Sequence, residues 1–191
     1  RTLQIVKSLK NEVFAYKIGY EFFFNFGLTG YNSIKKISPK IFLDLKLHDI
    51  PNTVLKGMKA INRLKPIMTT IHICGGDEMM KVSKINASKT KILGVTILTS
   101  LNDVQTKKYF NENKIKNLVK KFVKQAKKNN LDGVICSPKE IELIRKEIGN
   151  KFLIITPGIR LKKNLIQDDD QKRILTPKEA IKLGADYLVV G

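Results

Sequence analysis

Strand-like and helix-like segments alternate along almost the whole chain. The strand-like segments are short and rich in β-branched residues, and most precede a longer segment with the apolar spacing of an amphipathic helix. The seven strand-like segments begin near residues 13, 41, 68, 92, 133, 152 and 187. No Asn-Gly hairpin signal joins neighbouring strands, so this order favours parallel strands connected by right-handed crossovers.

A closed (β/α)8 barrel has one more strand than this and typically about 250 residues, whereas the chain has 191. The chain opens with a helical pattern, which a strand would precede in a barrel, and it stops at a strand end. We therefore predict an α/β protein with a (β/α)8 TIM barrel, in one domain over residues 1–191, that lacks the first strand and the last helix. An open doubly wound sheet is the alternative, but it would place a Gly-rich loop after its first strand, where the sequence has none.

The net charge of +19, from 36 basic and 17 acidic residues, raises the possibility of nucleic-acid or membrane binding. The lysines are dispersed, however, and do not interleave with exposed aromatic residues as in a single-strand binding groove. No apolar run approaches the roughly 20 residues of a membrane helix, and no signal peptide is visible. We predict a cytoplasmic protein that binds neither nucleic acid nor membrane, with a positive field that suits an anionic substrate.

Residues 40–54, K-I-F-L-D-L-K-L-H-D-I-P-N-T-V, are the most informative segment. An apolar strand-like run ends at Asp44, and Lys46 and Asp49 follow before Pro51 interrupts regular structure. Side chains alternate between the faces of a strand, so Asp44 and Lys46 would point the same way. A barrel gathers its chemistry at the carboxyl ends of its strands. An isolated D-x-K would more often be a surface ion pair.

Other polar residues also follow strand ends, and in a barrel they would converge on the same mouth. They are Lys17, Thr99, Ser100, Thr156, Gly158 and Arg160. The run T-P-G-I-R at residues 156–160 combines a glycine turn with a guanidinium group, which suits a phosphate dianion. The sequence therefore predicts one site that holds a phosphorylated substrate.

These motifs resemble those of the orotidine 5′-monophosphate decarboxylase family. The D-L-K-L-H-D-I-P-N-T run matches its D-x-K-x-x-D-I-P-N-T signature, and K-I-G, T-P-G-I-R, D-Q-K-R and A-D-Y-L-V-V-G match further segments. The resemblance spans nearly the whole chain. It implies a homodimer that converts orotidine 5′-monophosphate to UMP in de novo pyrimidine biosynthesis, without a cofactor.

The resemblance implies an alternating network of amines and carboxylates formed by Lys17, Asp44, Lys46 and Asp49. Lys46 would donate a proton to C6 of the pyrimidine, since a fixed ammonium can stabilise the carbanion left by CO₂ and then protonate it. Asp44 would hold Lys46 in place beside the departing carboxylate. Asp49 would reach across the dimer interface into the partner's site.

The resemblance also implies substrate contacts at Lys17, Thr53, Thr99, Arg160, Gln171 and Gly191. Arg160 would bind the phosphate, and Gln171 would close over it from a loop. Thr53 would reach the ribose from the partner chain, although a role at the start of a helix is the alternative. Thr99 would read the pyrimidine, and ordinary turn chemistry is its alternative.

The histidines and cysteines offer little chemistry in the sequence. His48 and His72 are more typical of structural residues, and Cys74 and Cys136 lack the spacing of metal ligands. We therefore expect no metal site.

Two other functions stay open at this point. A Mg²⁺-dependent sugar-phosphate decarboxylase or aldolase of the same group of barrels would share D-x-K-x-x-D but not D-I-P-N-T or T-P-G-I-R. A basic, non-catalytic RNA-binding protein is the alternative from another class. Metal dependence separates the first, and clustered basic residues with stacking aromatics would indicate the second.

Overall fold

A parallel seven-stranded sheet organises the computed structural model, which describes residues 1–159 and 175–191. The strands lie in the sheet in their chain order, and each pairs in parallel with the next. They are β1 (Tyr16–Ile18), β2 (Ile41–Leu47), β3 (Met68–His72), β4 (Lys91–Val95), β5 (Gly133–Ile135), β6 (Leu153–Thr156) and β7 (Tyr187–Leu188).

Helices fill most of the connections between these strands. They are α1 (Thr2–Ser8), α2 (Tyr20–Ile37), α3 (Pro51–Leu64), α4 (Asp77–Ile85), α5 (Asp103–Phe110), α6 (Ile115–Lys128), α7 (Ile141–Ile148) and α8 (Pro177–Lys182). Short 3-10 turns cover Ile73–Gly75 and Pro138–Glu140. Within the two described ranges, no helix is long and apolar enough to cross a membrane.

The sheet curls so that its two edges come together. The rings of Phe14, just before β1, and Tyr187, in β7, have centroids 4.8 Å apart. A doubly wound sheet reverses its strand order at a switch point, whereas this order runs uninterrupted from β1 to β7. The predicted parallel barrel architecture is confirmed, and the doubly wound alternative is wrong.

Apolar side chains pack on both faces of the curled sheet. The larger cluster joins the outer face to the helices. The smaller one consists of Phe42, Met68, Leu93 and Ile155, one each from β2, β3, β4 and β6. Such an interior layer, with side chains from several strands, is typical of a barrel. Because side chains alternate, Phe42 and Asp44 share the inner face of β2, so the layer forms a floor beneath the acid.

Two helices have distinctive features. Gly27, with a φ of 51° and a ψ of −144°, breaks the helical geometry of α2 (Tyr20–Ile37), which therefore consists of two helical segments joined at a kink. Gly30 is required for packing, since a Cβ there would lie 2.4 Å from the Cβ of Phe26. The helix α5 was not predicted, because it is mostly polar and buries only Thr106.

Candidate active site

Three charged side chains predicted to converge meet at the carboxyl ends of β1 and β2. Nζ of Lys17 lies 3.3 Å from Oδ2 of Asp44. Nζ of Lys46 lies 2.9 Å from Oδ1 and 3.0 Å from Oδ2 of the same carboxylate. The Asp44 side chain is only 10% exposed, against 35% for Lys17 and 26% for Lys46. One buried acid is thus held between two amines that reach solvent.

These three side chains line a cavity of about 330 Å³ at the mouth of the sheet. Gly158 and Gly191 lie on its wall, and Phe42 is also part of its lining. Gly158 has a φ of 74°, a left-handed conformation that favours glycine. The cavity therefore combines a charged side with backbone that a ligand can approach closely.

A bulge in β2 brings Lys46 to this position. Leu43 pairs with Thr69 and Leu47 with Ile71, so β2 advances four residues while β3 advances two. Lys46 lies inside the bulge with a φ of 41°, a left-handed conformation that strains a residue with a side chain. Bulges re-aim side chains next to active sites. The alternation of side chains along a strand correctly predicted the Asp44–Lys46 contact, but it did not predict the bulge that brings Lys46 there.

Thr70 of β3 joins the two key residues and was not identified from the sequence. Its Oγ1 accepts a hydrogen bond of 2.8 Å from the backbone N–H of Lys46 and donates one of 2.9 Å to Oδ1 of Asp44. Thr70 is fully buried. The available signal was a pair of threonines inside an apolar strand, where each hydroxyl needs a partner.

Gly19 makes room for Lys17. A Cβ at residue 19 would lie 3.2 Å from Nζ of Lys17, tighter than most such contacts. The φ of Gly19 is −103°, so the backbone conformation does not require glycine, but a larger residue would crowd the Lys17 ammonium. The K-I-G run contained this signal, but only the folded chain shows what the glycine faces.

Opposing effects set the protonation of Asp44. Burial acts to raise the pKa of this carboxyl, but Lys46 and Lys17 and the hydrogen bonds from Lys46 and Thr70 outweigh it and leave the pKa below its ordinary value. Asp44 is therefore ionised at neutral pH. The site carries a fixed negative charge between two amines.

Aromatic and imidazole groups surround Lys46. Its Nζ lies 5.7 Å from the ring centroid of Tyr20, whose hydroxyl donates a 3.0 Å hydrogen bond to the carbonyl of Leu45. Burial, together with His48 and Lys46, lowers the pKa of His72 to about 4. His72 is thus neutral at pH 7, and its ring contacts that of His48 at an interplanar angle of 42°, with ring centroids 5.2 Å apart.

The described part of the chain contains no group of three or more His, Cys, Asp or Glu residues placed to hold a metal ion. Cys136 is buried, and Cys74 is exposed with Sγ 3.8 Å from Nε2 of His48. The structural interpretation of the two histidines stays a prediction.

Asp49 and Thr53 lie outside the charged cluster. Both are exposed, and Asp49 accepts a 2.7 Å hydrogen bond from the backbone N–H of Ile50. They line a second cavity of about 480 Å³ next to Lys46, together with Tyr20 and His72. A single chain places them beside the site but not in contact with Asp44.

The other expected substrate contacts are less defined. Thr99 is half-buried in the turn after β4. Arg160 and Gln171 lie outside the described residues. Their expected roles at the phosphate stay predictions.

Comparisons with known proteins show what this chain is similar to. The family model described as "Orotidine 5'-phosphate decarboxylase / HUMPS family" matches residues 1–191. The orotidine 5′-phosphate decarboxylase of Carboxydothermus hydrogenoformans is 43% identical over 199 residues, which cover 100% of this chain and 82% of that protein. That of Wolbachia pipientis is 45% identical and covers 96% of this chain and 80% of its own.

A solved structure gives the same picture. The crystal structure of orotidine 5′-phosphate decarboxylase from Lactobacillus acidophilus superposes with a TM-score of 0.79 at 38% identity. The match covers 92% of this chain and 76% of that one. The fold similarity therefore extends over most of the chain.

Proposed function

The chain belongs to the orotidine 5′-phosphate decarboxylase / HUMPS family, and we propose that it decarboxylates orotidine 5′-monophosphate to UMP with Lys46 as the proton donor. The resemblance noted in the motifs is thereby confirmed. Within the family, the activity follows the relatives at 43% and 45% identity, which carry the decarboxylase name. The product places the enzyme in pyrimidine biosynthesis.

The observation that carries the proposed mechanism is the position of Asp44 between two amines at the cavity. Loss of CO₂ leaves an electron pair on C6, in the plane of the pyrimidine, where the ring cannot delocalise it well. The Lys46 ammonium stabilises this charge as it develops and then transfers a proton to C6. The new C–H bond completes UMP, and Lys46 regains its proton from solvent.

Asp44 has two tasks in this proposal. It accepts hydrogen bonds from Lys46 through both oxygens, which holds the ammonium at one place. Its own charge would face the substrate carboxylate before reaction, and that repulsion is relieved as CO₂ leaves. Lys17, on the other side of the acid, binds the substrate and completes the alternation of charges.

Binding of the remote phosphate supplies affinity and closure. We assign it to the glycine turn at Gly158 and to Arg160, with Gln171 on the loop that closes over the ligand. Gly191 adds backbone at the cavity wall. Thr99, after β4, reads the pyrimidine.

The proposal includes a homodimer. Asp49 and Thr53 are exposed beside Lys46, which suits residues that complete a partner's site. Residues 1–191 then belong to one barrel domain, in the cytoplasm, that works without a cofactor and without nucleic-acid or membrane partners.

A Mg²⁺-dependent sugar-phosphate enzyme is the second candidate. The description of the matching family names HUMPS beside orotidine 5′-phosphate decarboxylase, so membership of the family does not by itself separate the two activities. Such an enzyme would need a divalent ion for its enolate chemistry. Its activity would therefore respond to a chelator, unlike that of the proposed decarboxylase.

The deciding experiment follows the absorbance of orotidine 5′-monophosphate after addition of the purified protein, with and without EDTA. UMP is identified in the same samples by chromatography. Equal loss of absorbance in both, matched by UMP formation, is the expected result. A folded dimer that leaves the substrate unchanged, or one that EDTA inactivates, would overturn the proposal.

A further inference from the structure

Thr70 fills a gap that the β2 bulge opens in the sheet. In a regular parallel pair, the backbone N–H of Lys46 would donate to a carbonyl of the neighbouring strand. Here it donates to the Thr70 side chain at 2.8 Å, and the same hydroxyl donates to Asp44 at 2.9 Å. One atom on β3 therefore contacts both the strained backbone and the buried acid.

The direction of these hydrogen bonds is fixed by chemistry. A backbone N–H can only donate, and an ionised carboxylate can only accept. The Thr70 hydroxyl donates its one hydrogen to Asp44, and its oxygen accepts the hydrogen bond from the Lys46 backbone N–H. Both capacities of Thr70 are used, and no other arrangement of this hydroxyl satisfies both neighbours.

We infer that Thr70 is a positioning residue that holds the Lys46 backbone in its left-handed conformation and sets the Asp44 carboxylate against the Lys46 ammonium. The inference rests on the proposed role of Lys46. A left-handed lysine is strained and persists only where its surroundings fix it. Among the described contacts, the Thr70 hydroxyl is the group that ties this backbone to the acid.

Thr69 offers a matched control one residue away. It is equally buried on β3, and its Oγ1 donates a 2.9 Å hydrogen bond to the carbonyl of Leu43 on β2. It thus makes the same kind of link between the same two strands, but its hydroxyl bonds to a backbone carbonyl instead of the charged pair. A merely structural role for buried threonines predicts similar results at both positions.

The test compares Thr70→Val, Thr70→Ser and Thr69→Val. Both valine variants should lose thermal stability, since each removes a buried hydroxyl, and Thr70→Val should lose more because its hydroxyl makes two hydrogen bonds, one of them to a carboxylate. Only Thr70→Val should lose kcat, by about 10- to 100-fold, the usual effect of a small misplacement of a reacting group. KM should change little, because Thr70 is fully buried and does not line the cavity. Thr70→Ser, which keeps the hydroxyl, should restore most of the rate.

The pH profile gives a second readout. Asp44 is faced by Lys17 from β1, Lys46 from β2, and Thr70 and His72 from β3. Loss of the Thr70 hydroxyl removes one of the groups that lower the Asp44 pKa. The acid limb of kcat should therefore move to higher pH in Thr70→Val and stay in place in Thr69→Val.

Failure of the inference is distinguishable from failure of the proposed function. A wild-type kcat in Thr70→Val, or equal losses of kcat in both valine variants, would overturn the inference while the decarboxylase activity stands. If the wild type itself were inactive, crystal structures of Thr70→Val and Thr69→Val would test the positioning role of Thr70 instead. An unchanged Lys46 conformation and Asp44–Lys46 contact in Thr70→Val would overturn the positioning role.

Discussion

The Lys46 ammonium lies 2.9 Å from the Asp44 carboxylate, although the Lys46 backbone has a φ of 41° that a lysine rarely adopts. The pair therefore does not arise from ordinary strand geometry. The chain accepts local strain in order to direct one amine into the cavity. Strain of this kind is concentrated at functional sites.

Replacement of Lys46 by alanine should abolish turnover and leave ligand binding. We expect kcat to fall by at least about 1,000-fold, because both charge stabilisation and proton delivery are lost. UMP affinity, measured by calorimetry, should stay within roughly ten-fold of wild type. Lys59→Ala, at an exposed lysine of α3, is the control and should behave like wild type. Substantial turnover in Lys46→Ala would remove it from the proton-donor role.

Mixed dimers test whether Asp49 acts in the partner's site. Lys46→Ala and Asp49→Ala should each be inactive alone. Co-expressed with different tags, they form heterodimers with one intact site, since an intact Lys46 then faces an intact Asp49 from the other chain. Random mixing should restore about a quarter of wild-type activity. Absence of any recovery in purified heterodimers would place Asp49 in its own chain's site.

The His72 imidazole predicts a window of acid sensitivity. Its pKa is 6.5 in the unfolded chain and about 4 in the folded protein, mainly because of burial. Between these values the unfolded state binds a proton that the folded state does not, so stability falls as the pH drops from 6.5 to 4. The full difference between these pKa values corresponds to about 3.4 kcal/mol, and solvent screening at the half-buried ring should reduce the loss to roughly 2 kcal/mol.

Urea unfolding of wild type and His72→Gln across this range measures the effect. The variant should show a flatter dependence between pH 6.5 and 4, with no added difference above pH 7. Asp44 does not interfere, because its pKa is depressed and its contribution is lost only at pH values below about 3.8. Parallel curves for the two proteins would contradict the burial of a neutral His72.

Gly19→Ala should weaken substrate binding through Lys17. The new Cβ would lie 3.2 Å from Nζ of Lys17, so the ammonium would have to shift by a few tenths of an ångström relative to Asp44. KM for orotidine 5′-monophosphate should rise roughly two- to five-fold, in line with a part-exposed ion pair worth up to about 1 kcal/mol. In a Lys17→Ala background the same change should have no further effect on KM. An additive effect would mean that Gly19 acts by another route.

Most of the architecture could be predicted because it depends on local pattern. The seven strands and the parallel order follow from apolar segments and helical crossovers, and the structure confirms both. The meeting of Lys17, Asp44 and Lys46 followed from their places at strand ends. Barrel topology turns such positions along the chain into neighbours in space.

The remainder depended on relationships between distant segments. The bulge at Lys46 reflects the register between β2 and β3, which a single strand's sequence does not encode. Thr70 is important only because of that register. The polar helix α5 lacks an apolar stripe, and its one local signal was the capping box of Asn102 and Gln105. The expected partner role of Asp49 involves a second chain, which one chain's fold does not define.

The contact between Phe14 and Tyr187 has a consequence for how the protein folds. Every strand pairs with its neighbour in the chain, so the sheet can grow by short-range steps, each with a modest loop entropy. The two rings, by contrast, come from nearly opposite ends of the sequence and can meet only after the intervening strands are in place. In the polypeptide of residues 1–191, weakening this contact should therefore accelerate unfolding and leave the folding rate almost unchanged.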